Sequence, residues 1–213
     1  MNEQDIVKTG TTTLGIVCKD GIVLAADKRA TAGYLIANKN FEKIVTITDD
    51  IAVTTAGVVS DVQLLVKIMR AELKLLKIRT GRNIYVKEAV NLLSVFVYNN
   101  IRKMSMLPGI SHFIVGGKDS SGFYAYEVAV DGSIAVCDDF VSSGSGSVFA
   151  YGVLETLYRK GMSVDEGVKL GTKAVNAALQ RDIASGNGID VVTITSEGIK
   201  KLQTKYVKTG VEE

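Results

Sequence analysis

Thr9-Gly10-Thr11-Thr12-Thr13 opens the first strand-like run of this 213-residue chain, and Lys43 stands in a second such run further on. A threonine hydroxyl is a poor nucleophile unless a base sits beside it. Cleavage of the bond between Gly10 and Thr11 would free the Thr11 α-amine and so place a base in the same residue as the hydroxyl. A lysine in the same β region would bring a positive charge, and a buried ammonium needs an acidic partner. Asp27 closes the apolar run Ile22-Val23-Leu24-Ala25-Ala26 and is the candidate for that partner. Each residue also has a plainer reading. Thr is β-branched and belongs in strands, Lys43 reads as a surface charge, and Asp27 as a strand-end acid. Their shared β region is what favours the catalytic reading.

Two later segments are rich in small polar residues. Ser143-Gly144-Ser145-Gly146-Ser147 precedes a helical pattern. It reads as a capping turn, as an anion-binding helix start, or as a serine hydroxyl delivered into a site. Phe149 stands where a dinucleotide fingerprint needs glycine, which counts against nucleotide binding. Arg181-Asp182-Ile183-Ala184-Ser185-Gly186-Asn187-Gly188 lies where a helix gives way to a strand. It reads as a C-cap turn, yet Asp182 and Ser185 are three apart and can face the same way. Lys8-Thr9-Gly10 and Lys208-Thr209-Gly210 each spell one penicillin-binding motif, but the chain has no Ser-x-x-Lys and no Ser-Asp-Asn. It also has no Gly-x-Ser-x-Gly elbow and no His-Glu-x-x-His.

The elements that must position these residues can be read from periodicity. Residues 11–19 and 21–27 are strand-like around Asp20-Gly21, and residues 43–47 and 51–55 repeat the pattern around Asp49-Asp50. Val58, Val62, Leu65, Met69, Leu73 and Leu76 form one helical stripe that Gly81 stops, and Ala89, Leu93, Phe96, Val97, Ile101 and Met104 form another ending before Pro108. Strands return over 110–116, 122–130 and 133–137. Helices follow over about 147–160 and, from the capping box Ser163-Val164-Asp165-Glu166, to about Ala184. Residues 189–195 and 199–203 close the chain as strands. This order lacks regular βαβ alternation and predicts antiparallel sheets packed together with helices outside.

Bulk composition excludes several classes. The 25 Lys and Arg against 23 Asp and Glu leave a net charge of +2, which gives no support to nucleic-acid binding. No stretch reaches the ~18–20 apolar residues of a membrane span. The first ten residues lack the apolar core of a secretory signal. Cys18 and Cys137 have no metal-ligand spacing and read as small apolar strand residues of a reducing, cytoplasmic protein. His112, the sole histidine, lies in the apolar run Ile110-Ser111-His112-Phe113-Ile114 and reads as structural rather than catalytic. Neither a linker nor a domain boundary is visible.

Assembled, these motifs closely resemble the family of archaeal 20S proteasome β subunits over nearly the whole chain. The likeness runs through Thr11-Thr12-Thr13-Leu14-Gly15, Leu24-Ala25-Ala26-Asp27-Lys28-Arg29-Ala30-Thr31, Lys43-Ile44, Thr54-Thr55-Ala56-Gly57, Gly144-Ser145-Gly146-Ser147, Tyr151-Gly152-Val153-Leu154-Glu155 and residues 181–190. The resemblance implies an α+β, four-layer αββα sandwich of two antiparallel sheets flanked by helices, the N-terminal-nucleophile hydrolase fold. It implies a propeptide over residues 1–10, cut between Gly10 and Thr11, and a single domain over 11–213. Thr11 would be the nucleophile of a threonine endopeptidase. Lys43 would lower the pKa values of its hydroxyl and amine, Asp27 would orient Lys43, and Ser145, Asp182 and Ser185 would position amine and water. The Gly57 backbone N–H would bind the oxyanion. A specificity pocket of Ala30, Phe41, Val45, Thr55, Val59 and Gln63 would favour cleavage after large apolar residues, with substrate backbone paired near Thr31 and Gly57. No metal or organic cofactor is implied. Lys28 departs from the more usual Arg and Ser60 from the common Gly, neither at the proposed chemistry.

The implied partners are other β subunits in a seven-membered ring, proteasome α subunits, a regulatory AAA ATPase acting through the α ring, and unfolded polypeptide substrate. An HslV-type two-ring protease shares the chemistry, but the Ser-Gly-Ser-Gly and Arg-Asp-x-Ala-Ser-Gly elements favour the 20S family. A noncatalytic ring subunit would be expected to lack Thr11, Asp27 or Lys43. A nucleotide-binding α/β protein is the rival from another class.

Overall fold

The computed structural model describes residues 10–106 and 108–202, together with the backbone of 205–206. Two antiparallel sheets lie face to face. The first runs β10 (Phe140–Ser143), β1 (Thr13–Cys18), β2 (Gly21–Asp27), β11 (Gly188–Thr195), β12 (Gly198–Lys201), with β13 (Lys205–Tyr206) also on β11. The second runs β5 (Ile44–Thr46), β6 (Ile51–Gly57), β7 (Ser111–Asp119), β8 (Gly122–Val128), β9 (Ile134–Cys137). A hairpin of β3 (Ala30–Ala32) and β4 (Leu35–Asn38) stands apart. The expected turns at Asp20-Gly21, Asp49-Asp50, Asp131-Gly132 and Glu197-Gly198 each join antiparallel neighbours.

Strands buried on both faces must be apolar at successive positions, because side chains alternate between faces. In β2, Val23 and Ala25 face one core and Ile22, Leu24 and Ala26 another. The first core holds Leu14 and Ile16 of β1 and is covered by α3 (Ser147–Leu157) and α4 (Val164–Arg181), through Ala150, Leu154, Ala174 and Val175. Ile114, Ala125, Val192 and Ile194 join Ile22 and Leu24 in the core between the sheets. Outside the second sheet, Val53, Phe113 and Val115 pack on α1 (Val59–Thr80) and α2 (Val86–Arg102), through Met69, Leu73, Leu93 and Val97. The layers are therefore α, β, β, α. Among the described residues, no helix is long and apolar enough to cross a membrane.

Several boundaries differ from the sequence expectation. The first strand begins at Thr13 rather than Thr11, because Thr11 and Thr12 are held by side chains of other segments. Helix α2 ends at Arg102, leaving Met104 fully exposed instead of on the core stripe. Helix α3 ends at Leu157, where Tyr158 turns extended, and α4 ends at Arg181 rather than Ala184. The capping box forms as expected: Ser163 Oγ accepts from Glu166 N, and the Glu166 carboxylate accepts from Ser163 N. Strands β3, β4, β10 and β13 were not anticipated. Gln203, expected at the end of the last strand, lies outside the described residues, as do residues 1–9 of the leader and Lys208-Thr209-Gly210.

Candidate active site

Asp27 ends β2 with its carboxylate fully buried, a placement that is tolerable only when its oxygens are satisfied. Oδ1 accepts from Thr12 N at 2.9 Å and from Lys43 Nζ at 2.5 Å. Oδ2 accepts from Arg29 N and Gly186 N, each at 3.0 Å. Lys43 precedes β5 and is 2% exposed. Burial pushes its ammonium below the ordinary lysine range, while the charge and hydrogen bond of Asp27, and then the charge of Asp182, oppose the fall. The Lys43 ammonium also reaches Gly10 O at 3.4 Å. The hydroxyl of Thr11 donates to that same carbonyl oxygen at 2.6 Å. Nucleophile candidate and cation candidate thus converge on the carbonyl of the bond joining Gly10 to Thr11.

The other wall comes from the two Gly/Ser segments. Ser145 Oγ accepts from Thr11 N at 3.3 Å and donates to Asp182 Oδ2 at 2.7 Å. Ser185 Oγ donates to the same oxygen at 2.6 Å and lies 2.7 Å from Thr12 Oγ1. Gly146 N donates to Thr11 O at 3.3 Å. This approach requires glycine at 144, where φ is +94° and a Cβ would fall 2.1 Å from Thr11 O. Gly57 ends β6 with φ of +117°, and a Cβ there would fall 2.3 Å from Ile110 O.

Gly57 lines a narrow cleft with Gly10, Thr11, Lys43, Ala30, Thr31, Phe41, Thr55, Val59, Ala56 and Val62, with a cavity volume of about 20 Å³. Val45 and Gln63 do not line it. Val45 packs against the core under α1 and α2, and Gln63 is exposed on α1, where its neighbour Val62 reaches the cleft instead. Thr31 Oγ1 accepts from Gly10 N at 3.1 Å, so the residue just before Thr11 already occupies one side of the cleft. Larger hollows, about 700 Å³ beside β12 and 790 Å³ by Arg82 and Lys118, contain none of these residues. Their size carries no chemistry. No group of three or more His, Cys, Asp or Glu among the described residues is placed to hold a metal.

Residues 7–194 match the family model for "Proteasome subunit". This chain belongs to the proteasome subunit family. It is 44% identical over 204 residues to a protein of Archaeoglobus profundus called "Proteasome subunit beta", covering 96% of this chain and 93% of that one. It is 45% identical over 198 residues to the protein of that name from Methanohalophilus mahii, covering 93% and 92%. It is 44% identical over 199 residues to "Proteasome subunit beta 2" of Pyrococcus abyssi, covering 93% of each.

Two contributors to this proteasome-family site escaped the sequence reading. Thr12 was read only as part of a strand, yet its hydroxyl meets Ser185. Arg29 sends its guanidinium to Ile183 O and Asn187 Oδ1, both at 2.8 Å, and pins the turn that carries Asp182 and Ser185. Asn187 has φ of +67°, the one non-glycine in that region among the described residues. Gly186-Asn187-Gly188 was the available signal for a tight turn there, but nothing marked Arg29 as its clamp. Lys28 turns away from the site to pair with Asp190 at 3.2 Å.

Proposed function

We propose that the chain is the catalytic β subunit of a 20S proteasome, a threonine endopeptidase that frees its own nucleophile. The carrying observation is the convergence of Thr11 Oγ1 and Lys43 Nζ on Gly10 O. In the uncut chain the Thr11 nitrogen is an amide and no base. Attack of Thr11 Oγ1 on the Gly10 carbonyl carbon forms an ester as the C–N bond breaks, and the nitrogen takes the hydroxyl proton. Water then hydrolyses the ester, leaving a Gly10 carboxylate and a Thr11 with hydroxyl and amine both free. Residues 1–10 are the propeptide in this reading, and 11–213 a single mature domain.

Peptide cleavage repeats the same step on a substrate carbonyl. The amine, held by Ser145, takes the Thr11 hydroxyl proton through water as the acyl-enzyme forms, and the departing substrate amine receives it. The Lys43 charge favours the alkoxide character that develops on Oγ1. Asp27 keeps that ammonium charged and aimed. Asp182 orders Ser145 and Ser185, and the Gly57 N–H receives the oxyanion. The substrate backbone runs where Gly10 now meets Thr31. The walls Ala30, Phe41, Thr55, Val59 and Val62 are mostly apolar and suit a large apolar side chain before the cut bond. A fluorogenic peptide panel should show such residues favoured about tenfold or more over acidic or basic ones; the opposite order would refute the assignment.

Assembly completes the reading: seven-membered β rings stacked between α rings in the cytoplasm, fed with unfolded polypeptide by an AAA ATPase at the α ring. The test is the intact mass of this chain after mixing with α subunits. Loss of residues 1–10 is expected. A particle that digests peptide while every copy keeps its leader would overturn the mechanism.

A further inference from the structure

We infer that His112 is a positioning residue for the reaction at Thr11, holding the end of β10 from which the 144–146 turn grips the nucleophile. The inference rests on the proposed role of Thr11. His112 lies on β7 beside Ala56 of β6. Its Nδ1 is hydrogen-bonded to Ser143 Oγ, across the gap between the sheets. Its Nε2 faces Glu127 Oε1 of β8 at 2.9 Å. The hydrogen bond between His112 and Ser143 therefore ties the second sheet to the last residue of β10, with the Glu127 carboxylate beside the other ring nitrogen. Ser145 and Gly146, which hold Thr11 N and Thr11 O, follow directly. Ser143 is also the register partner of Thr13 on β1. Both neighbours of the nucleophile's backbone thus depend on where Ser143 sits.

The link has two proton arrangements. With a neutral ring, Ser143 donates to Nδ1, while Nε2 lies 2.9 Å from Glu127 Oε1 without an aligned hydrogen bond to it. A protonated ring donates from both nitrogens, so the Ser143 hydrogen must turn to another acceptor. Thr13 Oγ1, directly across the ladder, is buried and has no partner among the described residues. Burial lowers the affinity of the ring for a proton, and Glu127, the charged group facing it, opposes this. Ser143 and Thr13 face it from the first sheet as neutral hydroxyls. Cys137 and Tyr151, which feel the charge of Glu127, stay protonated, the thiol pushed up to about 12. The neutral arrangement is the working one at neutral pH and is lost as pH falls through the lowered pKa.

The test uses the assembled particle with wild type, His112→Phe, His112→Asn, Glu127→Gln and, alongside, Thr11→Ala. His112→Phe should lower kcat about tenfold with KM within about twofold, because misplacement of reacting groups acts on the chemical step. His112→Asn, whose amide oxygen can accept from Ser143 at every pH, should recover most of that loss. The Thr11 amine titrates in all active variants, so the decisive readout is the ratio of wild-type to His112→Asn kcat. It should be near unity at neutral pH and fall severalfold as the imidazole titrates, at a pH below the ordinary histidine range. In Glu127→Gln the corresponding fall should move to lower pH, since the carboxylate that favours imidazolium is gone. A pH-independent ratio, or undiminished kcat in His112→Phe, overturns the inference. Should His112→Phe not assemble, an unmoved limb in Glu127→Gln does so. Activity retained by Thr11→Ala would instead overturn the role of Thr11 itself.

Discussion

A particle built with Thr11→Ala chains should assemble, keep residues 1–10 on every copy, and hydrolyse peptide at background. The substitution removes the hydroxyl and the methyl and nothing that holds the fold. The bonds that the Thr11 backbone makes, from Thr11 N to Ser145 Oγ and from Gly146 N to Thr11 O, remain, and the one side-chain bond lost is that to Gly10 O. Stability should change little. Activity should fall on the order of 10⁴-fold or more, as when the nucleophile of other hydrolases is removed. Intact mass, peptide hydrolysis and thermal unfolding on one preparation separate these outcomes. Residual turnover within about a hundredfold of wild type would mean that another group attacks the substrate.

Lys43→Ala should damage both activity and folding, for different reasons. Among the described residues its ammonium is the only cation donating to the buried Asp27 side chain, whose other partners there are the backbone N–H groups of Thr12, Arg29 and Gly186. Breaking one side of a buried pair leaves an uncompensated charge, at a cost of roughly 3–5 kcal/mol. Loss of a preorganised charge beside the developing oxyanion should lower kcat by about 10³-fold. The double variant Lys43→Ala with Asp27→Asn removes the stranded charge, so it should regain much of the thermal stability and none of the activity. Recovery of both would make the lysine structural only. Recovery of neither would mean that the carboxylate holds the Thr12 and Gly186 backbone in a way the neutral amide does not match.

The central strands β1, β2, β6, β7 and β11 were legible because they are buried along most of their length, and α1 and α2 because each carries an apolar stripe. Residues 22–26 are apolar at each position because both faces are covered. Strands β3 and β4 were not legible, since β4 is exposed along its length and carries no burial pattern. Helix α4 was expected to reach Ala184. It stops at Arg181 because the Asp182 carboxylate accepts from Ala184 N and from two serine hydroxyls, and such local bonding competes with the helix. Asp27 and Lys43 could be paired from their types, since a buried cation needs an acid. The contact of Arg29 with residues 183 and 187 joins distant parts of the chain and has no local signature. Val45 and Gln63 entered the expected pocket by resemblance alone; side-chain direction in β5 and α1 sends them elsewhere.

Covalent capture tests the role of Thr11 in one step. The assembled particle is incubated with an electrophilic peptide β-lactone carrying a large apolar side chain, digested, and mapped by mass spectrometry. The expected result is a single acyl adduct on a peptide that begins at Thr11, sited on its hydroxyl and absent from Thr11→Ala particles. An adduct on Ser145, Ser185 or any other side chain, or acylation of chains that still begin at Met1, would contradict a nucleophile made by cutting the bond before Thr11.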